Sequence, residues 1–403
     1  MDHVIDAGRN DPDSVADAIR QQVNRHADAL IGLSHRIHDH PETAFEEHRA
    51  SSWLADVLHS SGFTVSGAVA GMDTAFVATA GDGPLHIALC AEYDALPGIG
   101  HACGHNVIAA SSVGAALALA AVADTIGATV TVIGCPAEEY GGGKIRLLDA
   151  GIFDPIHAAL MVHPSPYDDP APRTTALSAF GVSYQGVAAH AGAFPERGVN
   201  AQDAMTVAQV ALGLMRQQLP EGRQVHGIVT SGGDAPNIIP ALAAGRFMAR
   251  SATLDELGSL RLRVDDCFQA GAIASGAQLD LRDEFPPYAE LRHHAGLTTL
   301  YRDSATALGR RFDDSVPRSR TGPSTDMGNV SHRLPAIHPL IGLDARGAVP
   351  HHPDFTAVAA GPSADSAVLD GALALSGTVI RLAALPDPYA FLGNQAPRNI
   401  SQS

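Results

Sequence analysis

The first part of the chain alternates between two hydrophobic periodicities. Residues 14–38 and 45–62 carry apolar side chains at intervals of three and four, which predicts helices that pack on a core. A longer apolar stretch at 107–123 predicts a buried helix. Four short apolar runs predict strands: 74–80, 85–91, 129–134 and 158–162. Continuous apolar strands that alternate with helices are typical of the α/β class, with a largely parallel sheet covered by helices on both faces.

A different order of elements follows a proline-rich stretch at 164–178. The predicted elements are a strand at 178–187, a helix at 201–219, strands at 224–230 and 244–251, a helix at 254–273 and a strand at 278–283. This order, β-α-β-β-α-β, is that of the split ferredoxin-like motif. The α/β pattern then returns, with a helix at 293–308, a strand at 337–343 and a helix at 363–385. We therefore predict a discontinuous α/β domain, residues 1–177 and 289–403, interrupted by a small α+β domain, residues 178–288.

Composition narrows the classes of partner. The 403 residues include 26 basic and 43 acidic side chains, so the formal net charge is −17. A strongly acidic chain repels polyanions, and we predict that it binds neither nucleic acid nor an anionic membrane. The first 20 residues contain no apolar signal-peptide core, and the four cysteines have no CxxC spacing. These features favour a cytoplasmic protein with reduced thiols. The 20 histidines are an unusually large number and direct attention to metal binding or acid–base chemistry.

Polar side chains follow three of the predicted strands directly. Asp94 comes after the run 85–91, and Glu138 and Glu139 come after 129–134. His163 follows the next strand along the chain. In an open parallel sheet the carboxyl ends of the strands form the ligand crevice, so we expect these side chains in one cleft.

A set of nitrogen, oxygen and sulfur donors converges on the same predicted edge. Its members are Cys103, His105, Glu139, His163 and one histidine of the pair His351-His352. This mixture suits zinc, or manganese or cobalt, better than calcium. Five protein ligands exceed the three that are usual for a catalytic zinc, which favours two divalent metal ions about 3.5 Å apart. A thiolate that bridges both ions would be deprotonated by them.

Two adjacent carboxylates, Glu138 and Glu139, have different predicted tasks, because neighbouring side chains in an extended segment diverge. One binds metal while the other reaches the attacking water as general base and then protonates the leaving amine. The three glycines that follow, 141–143, lead into Lys144 but lack the spacing of phosphate-binding loops.

Seven segments spread over nearly the whole chain resemble the peptidase M-twenty family of aminoacylases, carboxypeptidase G and amidohydrolases. They are HRIH with PE (35–38 and 41–42), DALP (94–97), HACGHN (101–106), PAEE (136–139), AHAG (189–192), PNIIP (236–240) and STDMGN (324–329). Within the family, Asn106 and the glycines after Glu139 are similar to the branch of p-aminobenzoyl-glutamate hydrolase and β-alanyl-lysine type dipeptidases.

This resemblance implies a role for each candidate residue of the α/β domain. The implied metal ligands are Cys103, His105, Glu139, His163 and His351. His351 is preferred to His352 because the family pattern resembles His-x-Pro. Glu138 corresponds to the general base, and Asp94 to an aspartate that orients a metal ligand.

The resemblance also implies that the inserted domain is a lid through which two copies form a homodimer. His190 matches a lid histidine that stabilises the tetrahedral oxyanion in the partner's site, and Asn237 matches a nearby polar contact. Arg250, on a predicted lid strand, is a candidate clamp for a substrate carboxylate. Ser324, in the last of the seven segments, is predicted as a further substrate contact.

The predicted function is amide hydrolysis with two metal ions. The expected substrates are small N-acyl amino acids, aminobenzoyl-glutamate-like conjugates or dipeptides. The alternative is a catalytically silent metal-binding or scaffold subunit of a hydrolase complex, against which the complete ligand set argues.

Overall fold

A computed structural model of the protein describes residues 12–313 and 322–393. The helices are α1 (Pro12–His38), α2 (His48–Ser60), α3 (His105–Ala120), α4 (Ala123–Ile126), α5 (Gly143–Asp149), α6 (Ala201–Arg216), α7 (Leu254–Ser275), α8 (Ala295–Ala307), α9 (Met327–Ser331), α10 (Pro353–Val358), α11 (Pro362–Ala383) and α12 (Pro388–Leu392).

The strands follow the same chain order. They are β1 (Thr64–Gly67), β2 (Phe76–Ala80), β3 (Leu85–Glu92), β4 (Ala128–Cys135), β5 (Ala158–Leu160), β6 (His163–Ser165), β7 (Ala176–Gln185), β8 (Gln224–Ser231), β9 (Leu242–Ser251), β10 (Gln278–Asp283), β11 (Ala336–Ile337) and β12 (Leu340–Gly342).

The chain divides into two compact units, each built from more than one segment. Among the described residues, the first unit comprises 12–172, 292–313 and 329–393, and the second comprises 173–291 and 322–328. The predicted inserted domain, 178–288, lies inside the second unit. Residues 322–328, which we predicted to be part of the α/β domain, instead pack with the second unit because they contact its entry and exit segments. The Thr175 amide donates to the Pro323 carbonyl at 2.8 Å, for example.

The first unit contains a six-stranded sheet in the order β1-β2-β4-β3-β5-β11. Strands β4, β3, β5 and β11 are parallel to one another, whereas β2 and β1 are antiparallel additions at one edge. Every residue of β4 is buried, and β3 is buried at seven of its eight positions. The predicted α/β class with a largely parallel sheet is confirmed.

The core of the first unit is built around α3. Residues His105 to Leu119 of this helix are all buried, because α3 packs against the sheet and against α1 and α11. Among the described helices, α11 is the one long and apolar enough to cross a membrane, and more than half of its apolar window is buried inside this core. Burial of that kind is typical of the core helix of a folded domain.

The second unit has the predicted β-α-β-β-α-β order, β7-α6-β8-β9-α7-β10. Its four strands form an antiparallel sheet in the order β10-β7-β9-β8, so β8 lies at an edge. Helices α6 and α7 pack together over one face of the sheet around a separate apolar core. The Asn200 side chain caps α6 by accepting from two amides of its first turn.

Candidate metal centre

The carboxyl ends of β3, β4 and β5 bring the predicted polar residues together in the first unit. β3 ends at Glu92, two residues before Asp94, and β4 ends shortly before Glu138 and Glu139. His163 follows β5 and begins β6. Because β3 lies between β4 and β5 in parallel register, the residues after all three strands share one edge of the sheet.

Gly104 sets the direction of the donors on either side of it. It precedes α3 with a left-handed backbone, φ 80°, and a Cβ at this position would lie 2.5 Å from Cγ of Pro164. Only glycine combines that conformation with so close an approach at little cost. The turn aims Cys103 and His105 at the same region, beside the loop that carries His163.

Two groups of metal-donor atoms share the thiol of Cys103. One consists of Cys103, His105 and His163, and the other of Cys103, Glu139 and His351, with the ligand atoms of each group within 4.8 Å of one another. The Cys103 Sγ to His163 Nε2 distance is 3.5 Å, and His351 Nε2 lies 3.4 Å from a Glu139 oxygen. All five predicted ligands are therefore brought together, in an arrangement suited to two cations bridged by a thiolate.

The neighbouring histidine, His352, has a different task. Its Nδ1 accepts the amide of Asp354 at 3.3 Å and caps α10. The geometry therefore favours His351 over His352 as the donor to a metal. His351 itself has a left-handed backbone, φ 65°, and its amide donates to the Ala102 carbonyl at 2.9 Å.

Asp94 organises the centre by two contacts. One oxygen lies 2.9 Å from His105 Nδ1, and the other accepts the amide of Glu139 at 2.8 Å. A carboxylate on Nδ1 leaves Nε2 of His105 to face a metal, which is the usual arrangement of a metal-binding histidine.

The Nε2 atom of His105 points into a cluster of oxygen atoms. It lies 3.7 Å from Glu92, 3.9 Å from Glu138 and 3.7 Å from Glu139, and it has no hydrogen-bond partner within the described ranges. Several buried carboxylates around one imidazole nitrogen repel each other strongly unless a cation lies between them. The residues present thus fit a bound divalent metal.

Burial and the neighbouring charges also shift the pKa values of the donors. Burial raises the pKa of the Cys103 thiol well above its ordinary value, and the charge of Glu139 raises it further. Burial, the largest single effect, lowers the pKa of His105, but the charge and hydrogen bond of Asp94 together with the contacts of Cys103 outweigh burial and raise this pKa well above its ordinary value. A metal reverses both preferences, because a coordinated thiol is deprotonated and a coordinated histidine is neutral.

A strained residue precedes the two glutamates. Ala137 has a left-handed backbone, φ 58°, and its amide donates to the buried carboxylate of Glu47 at 2.8 Å. Burial, followed by the charge of Asp94, raises the pKa of Glu47 to about 7. This contact, which the sequence patterns did not indicate, supports the turn that separates the directions of Glu138 and Glu139.

In the second unit, His190 and Asn237 lie on two paired loops. His190 bridges Ile238 in antiparallel fashion, and the Ala191 amide donates to the Asn237 carbonyl at 3.0 Å. The amides of Gly192 and Ala193 both donate to Nδ1 of His190, which places the proton of the neutral ring on Nε2. Both side chains are exposed. His190 can therefore offer an N–H donor to a ligand.

Arg250 and Ser324 are also neighbours in the second unit. Nη1 of Arg250, on β9, donates to Oγ of Ser324 at 2.9 Å, and that hydroxyl lies 3.2 Å from Oγ1 of Thr175. Burial lowers the pKa of Arg250, but a guanidinium keeps its charge in proteins. The pair offers a fixed cationic group to an anionic ligand.

Sequence patterns missed two residues of the centre, Glu92 and Lys144. Glu92 is the last residue of β3 and Lys144 lies in α5; both are fully buried and their charged groups are 2.5 Å apart. The position of Glu92 directly after the apolar run 85–91 is the signal that could have revealed it.

A largely parallel α/β sheet with a donor cluster at its carboxyl edge defines the class of metal-dependent hydrolases to which this fold points. The model for Peptidase family M20/M25/M40 matches residues 88–372 of the chain. The chain therefore belongs to this family, whose members are hydrolases that act on C–N bonds. The predicted family resemblance is confirmed.

Curated relatives match most of the chain. The chain is 39% identical to the Xaa-Arg dipeptidase of Mus musculus over 89% of its own length and 87% of that protein. It is 33% identical to one of the subunits of the p-aminobenzoyl-glutamate hydrolase of Escherichia coli over 66% of this chain and 59% of that protein.

Solved structures share the fold. An aminobenzoyl-glutamate utilization protein from Klebsiella pneumoniae matches with a TM-score of 0.72 at 20% identity, covering 90% of this chain and 97% of that one. A dinuclear metal-binding peptidase of the same family from Bacillus subtilis matches with a TM-score of 0.67 at 20% identity, covering 89% and 99%.

Proposed function

We propose that the protein is a two-metal dipeptidase or amidohydrolase that cleaves the amide bond of a small N-acyl amino acid or dipeptide. The observation that carries this proposal is the pair of donor groups that share Cys103, with a carboxylate oxygen of Glu138 lying 3.9 Å from Nε2 of His105. Membership of a family of C–N hydrolases supports the reaction type.

Five side chains would hold the metals: His105 and His163 on one side, Glu139 and His351 on the other, and Cys103 between them. Zinc is the first choice for this donor set, with manganese or cobalt as alternatives. Two bound divalent ions supply Lewis-acid polarisation of the carbonyl and lower the pKa of water by several units.

The remaining chemistry belongs to the chain itself. Glu138 removes a proton from the attacking water and later delivers it to the leaving amine. Asp94 keeps His105 in the tautomer that presents Nε2. In a homodimer, the Nε2–H of His190, with Asn237 beside it, would be a donor for the oxyanion in the partner's site, and such donors typically contribute about 2.7–4 kcal/mol to catalysis. Arg250, fixed by Ser324, binds the substrate carboxylate.

Exchanging each glutamate for glutamine separates their roles. In Glu138→Gln we expect metal content to stay normal and kcat to fall by about 10²–10⁴-fold, because the proton acceptor is lost. In Glu139→Gln we expect loss of bound metal together with activity. Metal analysis beside turnover checks both. Normal turnover of a fully metal-loaded Glu138→Gln protein would refute the mechanism.

A dipeptide with a basic C-terminal residue is the proposed substrate. The similarity to an Xaa-Arg dipeptidase supports it, and the net charge of −17 favours a cationic ligand. Hydrolysis of Xaa-Arg, β-alanyl-lysine, aminobenzoyl-glutamate and N-acetyl amino acids should be compared at equal concentration. Preference for aminobenzoyl-glutamate would instead favour the function of the Escherichia coli relative.

The alternative of a silent subunit makes a contrasting prediction. A purified chain that holds less than one tightly bound metal and cleaves none of these amides after addition of zinc, manganese or cobalt would support it. The complete donor set and the Glu138 carboxylate argue for an active enzyme.

A homodimer formed through the second unit is also proposed. Strand β8 is an edge strand with exposed Ile228 and Val229, and α6 exposes Val210 and Leu214 one turn apart. Edge strands and exposed apolar patches of this kind are common at interfaces between copies. We further propose a cytoplasmic location, because Cys90, Cys103 and Cys135 are buried free thiols.

A further inference from the structure

Glu92 and Lys144 form a buried ion pair at the edge of the metal centre. Both side chains are 0% exposed, and Lys144 Nζ lies 2.5 Å from Oε1 of Glu92. The pair joins the end of β3 to the short helix α5.

The second oxygen of Glu92 faces the metal centre. Its Oε2 lies 3.7 Å from Nε2 of His105. Metal–ligand bonds of about 2.1 Å place two ligand atoms of a tetrahedral site about 3.4 Å apart. Glu92, His105 and Glu138 also form a third group of donor atoms that lie within 4.8 Å of one another. Glu92 is therefore within ligand distance of a cation on His105.

We propose that Glu92 is a further ligand of the cation held by Cys103, His105 and His163, and that Lys144 is the residue that positions it. This inference rests on the proposed two-metal function. Lys144 binds one carboxylate oxygen, so the other is presented to the cation. We call this cation the His105 ion, and the cation of Cys103, Glu139 and His351 the His351 ion.

The two ions then differ in their coordination. The His105 ion has four protein donors, one sulfur, two nitrogens and one oxygen, which is the number of a closed tetrahedral site. The His351 ion has three protein donors, which is the number typical of a catalytic zinc with an open position. We therefore expect the His105 ion to bind more tightly and the His351 ion to keep an open position for the substrate.

A purely structural ion pair explains these contacts less well. Replacing a buried ion pair by apolar side chains is often neutral or stabilising, so folding alone gives little reason to bury these charges. If Oε2 of Glu92 is a donor to a cation, each oxygen of this carboxylate has an electrostatic partner. Lys144 pairs with Oε1, and the metal pairs with Oε2.

Titration of the metal-free full-length protein with Co²⁺ tests the proposal, because visible absorption of Co²⁺ reports coordination number independently of activity. For the wild-type protein we expect two binding steps of unequal affinity, the tighter with the strong absorption of a four-coordinate ion. Removing Glu92 should weaken the tighter step by about tenfold or more and reduce its absorption, while the weaker step changes little.

Two variants and a control keep the result interpretable. Glu92→Gln removes the carboxylate that pairs with the buried Lys144 charge and can fail to fold, whereas Glu92→Gln with Lys144→Met replaces the pair by neutral groups. Asp168→Asn is the matched control, because Asp168 pairs with Arg310 in the same unit outside the donor groups. We expect the double variant to lose the tighter step and the control to keep it.

Three results would contradict the proposals, and they differ in which proposal they overturn. A folded double variant that binds both ions as the wild type does would show that the pair is structural and would overturn the inference alone. Equal weakening of both steps would also overturn it, because the proposal concerns one ion. A wild-type protein that binds no Co²⁺ tightly would overturn the proposed function itself.

Discussion

Gly104 shows how a single backbone conformation builds the centre. It carries the chain from Cys103 to His105 in the left-handed region while its α-carbon lies against the ring of Pro164. Cys103 is shared by both donor groups, so a shift of this turn moves donors of both groups at once. His351 and Ala137 also have left-handed backbones, with φ of 65° and 58°, although neither is a glycine. Strain of this kind is held by the surrounding contacts and is common at functional sites.

We expect Gly104→Ala to damage the metal centre more than the fold. A left-handed alanine costs about 1–2 kcal/mol. The added methyl would also contact the Pro164 ring beside His163, so metal affinity should fall by more than the strain alone accounts for. Gly62→Ala is the control, because Gly62 has φ 91° and open space around it. Urea unfolding and Co²⁺ titration of both variants check this; equal metal affinity in the two would contradict it.

At the scale of elements, the strands that carry the site were predictable because they are apolar throughout. β3, β4 and β5 begin within one residue of their predicted starts. Helix α5 was not predicted, because seven residues are too few to show a helical period.

The predicted strand 337–343 is two strands, β11 and β12, which pair with β5 and β6 respectively. The break falls at His338-Pro339, since proline has no amide to continue a ladder. The grouping of 322–328 with the second unit depends on contacts between distant segments, which no local pattern reveals.

The exposed apolar residues of α6 and β8 lead to a prediction about dimer formation. If they form the proposed dimer, the wild-type protein should sediment as a dimer at micromolar concentration, and Val210→Lys with Leu214→Lys should sediment as a monomer. These residues are 58% and 67% exposed, so the change should leave the monomer folded. Leu262→Lys is the matched control, since Leu262 is 70% exposed on α7. A monomeric wild-type protein would rule out this interface.

For the whole molecule, the many histidines act on stability as well as on chemistry. Away from the metal centre, burial lowers the pKa of several of them: His86, His157, His226 and His294. His157 is an example, because its Nδ1 must be unprotonated to accept the amide of His86 at 3.0 Å. The high histidine content, which first directed attention to metals, therefore also reflects neutral rings that are partly or fully buried in the first unit, such as His86 and His157.

Acid should destabilise the protein in a defined range. Below pH 6.5 these histidines bind protons in the unfolded chain but stay neutral when folded, so the free energy of unfolding falls as pH drops from 6.5 toward the lowered pKa values. Glu47 and, in the metal-free protein, His105 act in the opposite direction, because the raised pKa of each, about 7 for Glu47, adds stability as pH falls. We expect the four histidines to outweigh Glu47 and His105. Urea unfolding of the metal-free protein at pH 7.5 and 5.5 measures the change, and His157→Asn, which keeps an acceptor, should reduce it. A larger free energy of unfolding at pH 5.5 would contradict this balance.

The split of both units along the chain has a consequence for synthesis on the ribosome. The second unit is complete by residue 291 except for residues 322–328, so its sheet and helices can assemble while the rest is being translated. In the first unit, α1 and α3 bury their apolar faces against α11, which begins at residue 362. The apolar face of α3 thus emerges long before its partner exists. We therefore expect the nascent chain to expose part of this apolar surface until α11 has been translated.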